Sequence, residues 1–521
     1  LQSRRDFLAA FAAATLTLGA KHASAELQQL PERMNLVPTA PSGVPNYWCT
    51  WAAQNYIYGQ HLPALDIAVL EGDSGGRLAH EALDENVLLG SEGWARKFYP
   101  AIRNDLLLML DDGWESGGTA SFDLHTIKFP SFHGSSQQRL YGLRSAIERL
   151  GWKGLALWCR NTPGGAKDAE LESLSVSAGI RYWKIDIGDP AFHLCQERRR
   201  LRLPLTLEHV YGELPVNGDW RKDGRFGAQP WDSRRIQIAR ATDVYRTYDV
   251  TSILSLPTTL DRVAEILHTT AGHAEVRGLL NVEDEVYVAA VLGCTMGVMR
   301  HPMYGMRTGA DPDLFFNGAR RAKQRLDEVV RAVRWQRIAA PFAMGVGSFD
   351  ASSSILSDSW RFAPGQTWQR ELIGQTVVQA APAVLARNLE LPIVTAIHEP
   401  PFVFAARFPN GAVAVGAQER TSTERAWQTP TCSIMLKVND APGPFGIFGS
   451  LDRLTLVFDR ELGSRRILAQ DLADDHPVEI THLVRRQGRE LHFPNTVFQI
   501  FGRQSATPSD LSSPAFVVVL V

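Results

Sequence analysis

The 521-residue chain is poor in the features that mark several protein classes. It has only five cysteines, at positions 49, 159, 195, 294 and 432, and no two of them form a Cys-x-x-Cys pair. An odd number without pairing excludes a dense disulfide framework and leaves buried thiols as the expectation. Neither a His-Glu-x-x-His motif nor a Cys/His zinc spacing occurs, so no metal and no organic cofactor is expected. No stretch beyond the N-terminus approaches the ~20 apolar residues of a membrane span. Lys and Arg (54) nearly balance Asp and Glu (56), for a net charge of -2. Neither nucleic acid nor an anionic membrane surface is therefore expected as a partner. Internal repeats and low-complexity tracts are absent as well.

What is present is the composition of a soluble globular protein, 45% hydrophobic and 21% charged, with a mean hydropathy of -0.14. The length predicts two or three domains. Thirteen Trp is a high count; most belong in cores, but sugar-binding clefts also use flat aromatic faces. The first residues, "LQSRRDFLAAFAAATLTLGAKHASAE", place Arg4-Arg5 before an apolar run and the small residues Ala23-Ser24-Ala25 after it. This order resembles a twin-arginine export signal over residues 1–25, which implies a periplasmic or extracellular protein. An amphipathic terminal helix is the alternative.

From about residue 45 short apolar runs alternate with helix-like stretches. Eight runs read as strands: 46–51, 105–110, 154–159, 181–187, 204–210, 236–242, 278–282 and 295–300. Amphipathic stretches at 137–151, 258–270 and 318–338 read as helices between or after them. Several runs are almost continuously apolar, as strands buried on both faces should be. The pattern predicts a TIM (β/α)8 barrel over residues 26–344. After 345 the style changes. Asn410-Gly411 sits between two apolar-rich runs, a hairpin signal, and short strand-like runs separated by Gly, Pro and Asp follow. An antiparallel β-sandwich over 345–521 is expected.

In a TIM barrel the chemistry sits at the C-terminal ends of the strands. The first predicted strand ends at Trp51, the second in Asp111-Asp112-Gly113-Trp114, the third at Trp158-Cys159-Arg160. The fourth, "RYWKIDI", carries Lys184 and Asp186 on one face; the fifth ends at Glu208-His209, the sixth in Arg240-Ala-Thr-Asp243, the eighth at Arg300-His301. Singly, most have plain structural readings, such as turn residues, helix caps and core aromatics. Lys184 and Asp186 are the least plain, because buried charges are rare unless paired. Jointly, the set suits glycosidic bond cleavage, which needs one ionised and one protonated carboxyl about an anomeric carbon. Lys184 would keep Asp186 ionised. Asp111 and Asp112 can accept hydrogen bonds from adjacent sugar hydroxyls, and Trp51 or Trp114 can wall a pyranose face.

These motifs resemble those of glycoside hydrolase clan D, the α-galactosidase-like families 27 and 36. "LLLMLDDGW" is similar to the clan's second-strand DDGW, "GLALW" to its third strand, "YWKIDIG" to its nucleophile strand and "RATD" to its acid/base strand; "VPNYWCTW" is a looser match on the first strand. The order matches from residue 45 to about 300. The resemblance implies that Asp186 is the nucleophile and Asp243 the general acid/base. It implies that Trp51, Asp111, Asp112, Lys184, Glu208 and Arg240 bind the sugar; Trp114 and Trp158, at the ends of the second and third strands, are further candidates for substrate binding. The chain departs from the clan at Ile187-Gly188, where relatives carry Cys or Asn, and at Cys49-Thr50 in place of Asn-Ser. The implied activity is that of a retaining exo-α-glycosidase on oligo- or polysaccharides. Clan relatives acting on β-L-arabinopyranosides, N-acetylgalactosaminides or isomaltose-type dextrans, a transglycosidase and a non-catalytic carbohydrate-binding protein are the alternatives.

Overall fold

The computed structural model describes residues 34–58, 79–116, 122–160, 167–186, 192–210, 237, 239–247, 254–302, 325–361, 374–424, 426–428, 431–440, 443–502 and 512–521. Residues 1–25 and Gly188 lie outside them. Eight parallel strands close into a barrel in sequence order. They are β1 (Asn46–Cys49), β2 (Leu106–Leu110), β3 (Gly154–Arg160), β4 (Tyr182–Asp186), β5 (Thr206–Val210), β6 (Val244–Arg246), β7 (Leu279–Glu283) and β8 (Thr295–Val298). β1 closes the ring against β8, pairing Tyr47 with Gly297 and Trp48 with Val298. A side chain at Gly297 would meet the Tyr47 phenol, so glycine there makes room for a tyrosine inside the barrel. The described part holds no helix long and apolar enough to cross a membrane.

Helices cover the barrel. α1 (Trp51–Tyr58) starts directly after β1, so the expected strand 46–51 ends earlier than its sequence suggested. α2 (Ser136–Arg149) opens on a capping box between Ser135 and Gln138 and buries Leu140, Leu143 and Ile147 on one face. α3 (Asp168–Ser177) and α4 (Phe192–Leu201) pack beside each other. α5 (Ser255–Thr270) is buried over nearly its whole circumference, because the strand Thr376–Pro382 covers the side away from the barrel. α6 (Val286–Leu292) and α7 (Leu326–Ile338) complete the described layer and meet the C-terminal sheets.

The C-terminal strands start at Phe349–Ala351 and form an eight-stranded, a five-stranded and a four-stranded sheet. The first two face each other across a core that includes Val403, Ala405, Val415, Leu436, Leu454 and Phe493. These sheets are mixed, not antiparallel throughout. Ser433–Lys437 and Arg453–Val457 run parallel, with Phe445–Phe448 of the larger sheet between them in sequence. A chain that crosses to the other sheet and back returns in its original direction, so its neighbours pair in parallel. The hairpin at Asn410-Gly411 does form, joining Phe402–Arg407 to Val413–Gln418, with Gly411 at φ +87°. Alternation splits Phe402–Arg407 between two cores: Val403 and Ala405 face the small sheet, while Phe402, Phe404 and Ala406 join the barrel's own core. Trp335 of α7 lies against this sheet so closely that a side chain at Gly446 would meet its ring.

Candidate active site

Strand alternation fixes which side chains reach the barrel interior. Tyr47 and Cys49 of β1, Tyr182 of β4 and Val244 of β6 belong to one interior cluster. Two residues on from Tyr182 and Val244, Lys184 and Arg246 point the same way and are almost completely buried. Lys184 Nζ lies 2.9 Å from Asp111 Oδ2 and 3.6 Å from Glu283 Oε1. The Arg246 guanidinium is divided among three carboxylates: Glu283 at 2.9 Å, Asp186 at 3.2 Å and Glu208 at 3.3 Å. Asp111, Lys184, Glu283, Arg246, Asp186 and Glu208 thus form one continuous ionic network below and at the mouth.

Its members differ in access. Asp186, at the last position of β4, keeps 17% of its side chain exposed and has Trp158 Nε1 at 3.4 Å and Arg246 beside it. Glu208 is fully buried. Its carboxylate accepts from Tyr47 and Tyr182 hydroxyls (3.0 and 2.6 Å) and from Asn281 (2.8 Å). Burial raises the Glu208 carboxyl above its ordinary range, against the pull of Arg246 and the Tyr182 hydrogen bond. For Lys184 burial opposes the charge, but Asp111 and the other anions outweigh it and hold the ammonium well above its usual range. Arg246 behaves alike, with Glu283 and then Asp186 overcoming burial. Cys49 donates to Asp111 at 3.0 Å, and burial pushes its thiol well up. At the rim, Asp112 pairs with His80 Nε2 at 2.7 Å, and the His80 ring stands 6.4 Å from that of Trp51. Among the described residues no cluster of three or more His, Cys, Asp or Glu could hold a metal.

Of the residues singled out in the sequence, Trp51, Asp111, Asp112, Trp158, Lys184 and Asp186 meet at this end of the barrel. Four do not serve as expected. Glu208 is fully buried, its carboxylate taken up by Tyr47, Tyr182, Asn281 and Arg246. Trp114 is fully buried in the strand–helix layer against Phe122, its Nε1 donating to Trp158 O; it walls no cleft. Asp243 precedes β6. The strands register Lys184 with Glu208 and Glu208 with Val244, which puts Asp243 three residues below Asp186 in the ladder register, roughly 10 Å along the strand direction. It also points outward: its carboxylate accepts from Arg198 of α4 at 2.7 Å and from Leu207 N at 2.9 Å. Asp243 and Asp186 therefore share no pocket. Arg240 is helical, not in a strand, and pairs with Glu275 on the surface at 2.7 Å. The cause of both misplacements is one register error: the run 236–242 precedes the sixth strand, and "VYR" is the strand itself. Arg246, Glu283, Asn281, Tyr47 and His80 were missed. Arg246 and Glu283 each close a short apolar strand, the same signal that exposed Asp186.

No protein-family model matches the chain, and no curated protein does. Among solved structures it is similar to the carboxyl transferase domain from Rhizobium etli pyruvate carboxylase, at 14% identity over 51% of this chain and 44% of that one, with a TM-score of 0.25. The same domain with 3-hydroxypyruvate gives 13% identity, 51% and 45% coverage and a TM-score of 0.25. The chain spans less than half the length of these structures, and the likeness says nothing of chemistry. The barrel assignment rests on the closed order of its own eight strands.

Proposed function

We propose that the barrel mouth is the active site of a retaining α-glycosidase, with α-galactosides as the first substrates to test. One observation carries the reading: four carboxylates (Asp111, Asp186, Glu208 and Glu283) are knit to only two cations, and the carboxylate nearest solvent is Asp186. A buried site with surplus negative charge favours the positive charge that develops on a sugar ring as its glycosidic bond breaks. Asp186 attacks the anomeric carbon and forms a glycosyl ester while the leaving oxygen takes a proton. Water, losing a proton to the same acid/base, then displaces Asp186 and restores the original anomer. Asp111 and Asp112, the latter oriented by His80, accept from sugar hydroxyls, and Trp51 offers an apolar face.

Asp243 is too far away to supply the proton. The Arg-x-x-Asp spacing seen at Arg240–Asp243 recurs at Arg246–Asp249, and Arg246 stands at the mouth. Asp249 lies outside the described residues, so its assignment as acid/base rests on sequence order. The twin-arginine-like N-terminus makes export part of the same proposal.

The test is a panel of nitrophenyl glycosides with the product anomer followed by proton NMR. Cleavage of an α-glycoside with the α-anomer appearing first is expected. Failure to cleave any α-glycoside, or release of the β-anomer first, overturns the reading. Asp249→Ala should spare substrates with good leaving groups and respond to azide, whereas Asp186→Ala should lose turnover on all of them.

A further inference from the structure

Glu283 touches no reacting atom in the chemistry just described, yet it stands between the two halves of the site. Its Oε2 accepts from Arg246 at 2.9 Å, and its Oε1, 3.6 Å from Lys184 Nζ, makes no hydrogen bond. Lys184 is the partner of Asp111 and Arg246 the partner of Asp186, so Glu283 joins the cation on the proposed sugar-binding carboxylate to the cation on the proposed nucleophile. Its backbone is pinned. The next residue, Asp284, adopts φ +58°, and its Oδ1 accepts from the N–H groups of Met299 and Arg300 as the chain leaves β8. Arg300 in turn reaches Glu328 of α7 at 2.8 Å. A carboxylate fixed in this way holds the Arg246 fork in its divided position.

We infer that Glu283 is a positioning residue that draws Arg246 partly away from Asp186 and so keeps the nucleophile reactive; this rests on the glycosidase reading above. A guanidinium freed from Glu283 would settle on Asp186, deepen its stabilisation as an anion and weaken its attack. Among the described residues, the groups that face this part of the network are Lys184 and Tyr182 from β4, Arg246 from β6, Glu208 from β5, Tyr47 and Cys49 from β1, Cys159 from β3 and Asp111 after β2; Arg160 of β3 stands in register with Asp186 at the rim. Glu283 lies within 4 Å of both cations, 2.9 Å from Arg246 and 3.6 Å from Lys184.

The test compares wild type with Glu283→Gln, which keeps size and removes charge. The expected result is a drop in kcat of about ten- to a hundredfold, with the acid limb of the pH profile moving down by roughly half to one pH unit. A second readout does not need turnover. Carbodiimide labels the protonated carboxyl, so peptide mass spectrometry across pH 4–7 reports the midpoint at which Asp186 becomes labelled; it should fall in Glu283→Gln. An unchanged midpoint overturns the proposal, whether or not kcat falls, because a merely structural role would not move it. If wild type cleaves no glycoside, the glycosidase reading fails and the labelling still decides the role of Glu283. Should Glu283→Gln not fold, Glu283→Asp, which keeps the charge but shortens its reach, should give a smaller shift in the same direction.

Discussion

Two ionic clusters are built on the same stretch of barrel wall. Inside and above are Lys184, Asp186, Arg246 and Glu283. Outside the barrel, against α3 and α4, are Asp243 with Arg198 and Asp168 with His193, and Glu172 is buried nearby. The inner cluster ties each of its carboxylates to at least one of two shared cations and leaves a single carboxylate, Asp186, nearest the solvent. The outer cluster leaves Glu172 fully buried, with neither carboxylate oxygen hydrogen-bonded, and burial followed by Asp168 pushes it up to about 8. Both contain the residue types of an active site. What separates them is the parity of each position along its strand and its level along the barrel, neither of which a list of carboxylates contains.

The sharpest contrast is between the two aspartates. Asp186→Ala should lower turnover of the best glycoside by about a thousandfold or more, while Asp243→Ala leaves kcat within about twofold and lowers only stability. Steady-state kinetics beside a melting curve would show both; equal losses of turnover would collapse the distinction between the clusters. Next in size is Lys184→Met. It strands Asp111 in a buried site and should cost about 3–5 kcal/mol in urea unfolding. An unaltered midpoint would mean that the inner network is not coupled as its distances indicate.

Glu172→Gln probes the outer cluster. Its carboxyl stays protonated in the fold up to about 8, but ionises near its ordinary 4.5 once unfolded. The unfolded chain therefore binds fewer protons between these values, and stability falls as pH rises through that window. The glutamine variant is free of this loss. It should match wild type near pH 4.5 and exceed it at pH 7 by on the order of 2–3 kcal/mol, measured as paired thermal melts. The smallest effect belongs to Arg240→Ala, a surface pair with Glu275, which should change stability by less than about 0.5 kcal/mol and leave KM alone. A large rise in KM would return Arg240 to the site.

Most of the apolar strands, and the polar residues that close β2, β4 and β5, were legible in the sequence, because two-residue alternation and strand length are local. Lys184 and Asp186 could be placed on one face from spacing alone. The sixth strand was not legible in the same way. "IQIARAT" is longer and more strand-like than "VYR", yet its described residues up to Ala241 are helical, and the three-residue strand is held mainly by its neighbours β5 and β7. Sliding from one to the other turns Asp243 outward and brings Arg246 inward. Trp114 and Glu208 failed for another reason. Sequence locates a residue at a strand end, but how deeply neighbours bury it depends on partners such as Trp158 for Trp114, and Tyr47 and Tyr182 for Glu208, that are distant along the chain.

The double-sided strand Phe402–Arg407 sets a limit on modularity. Its phenylalanines belong to the same core as the barrel helices, while the residues between them belong to the sandwich. A gene cut between the two regions would give a barrel with an open greasy flank and a sandwich missing its backing. The barrel half of this chain is therefore not a cassette to be transplanted alone; any chimera that borrows its mouth must borrow the wall behind it.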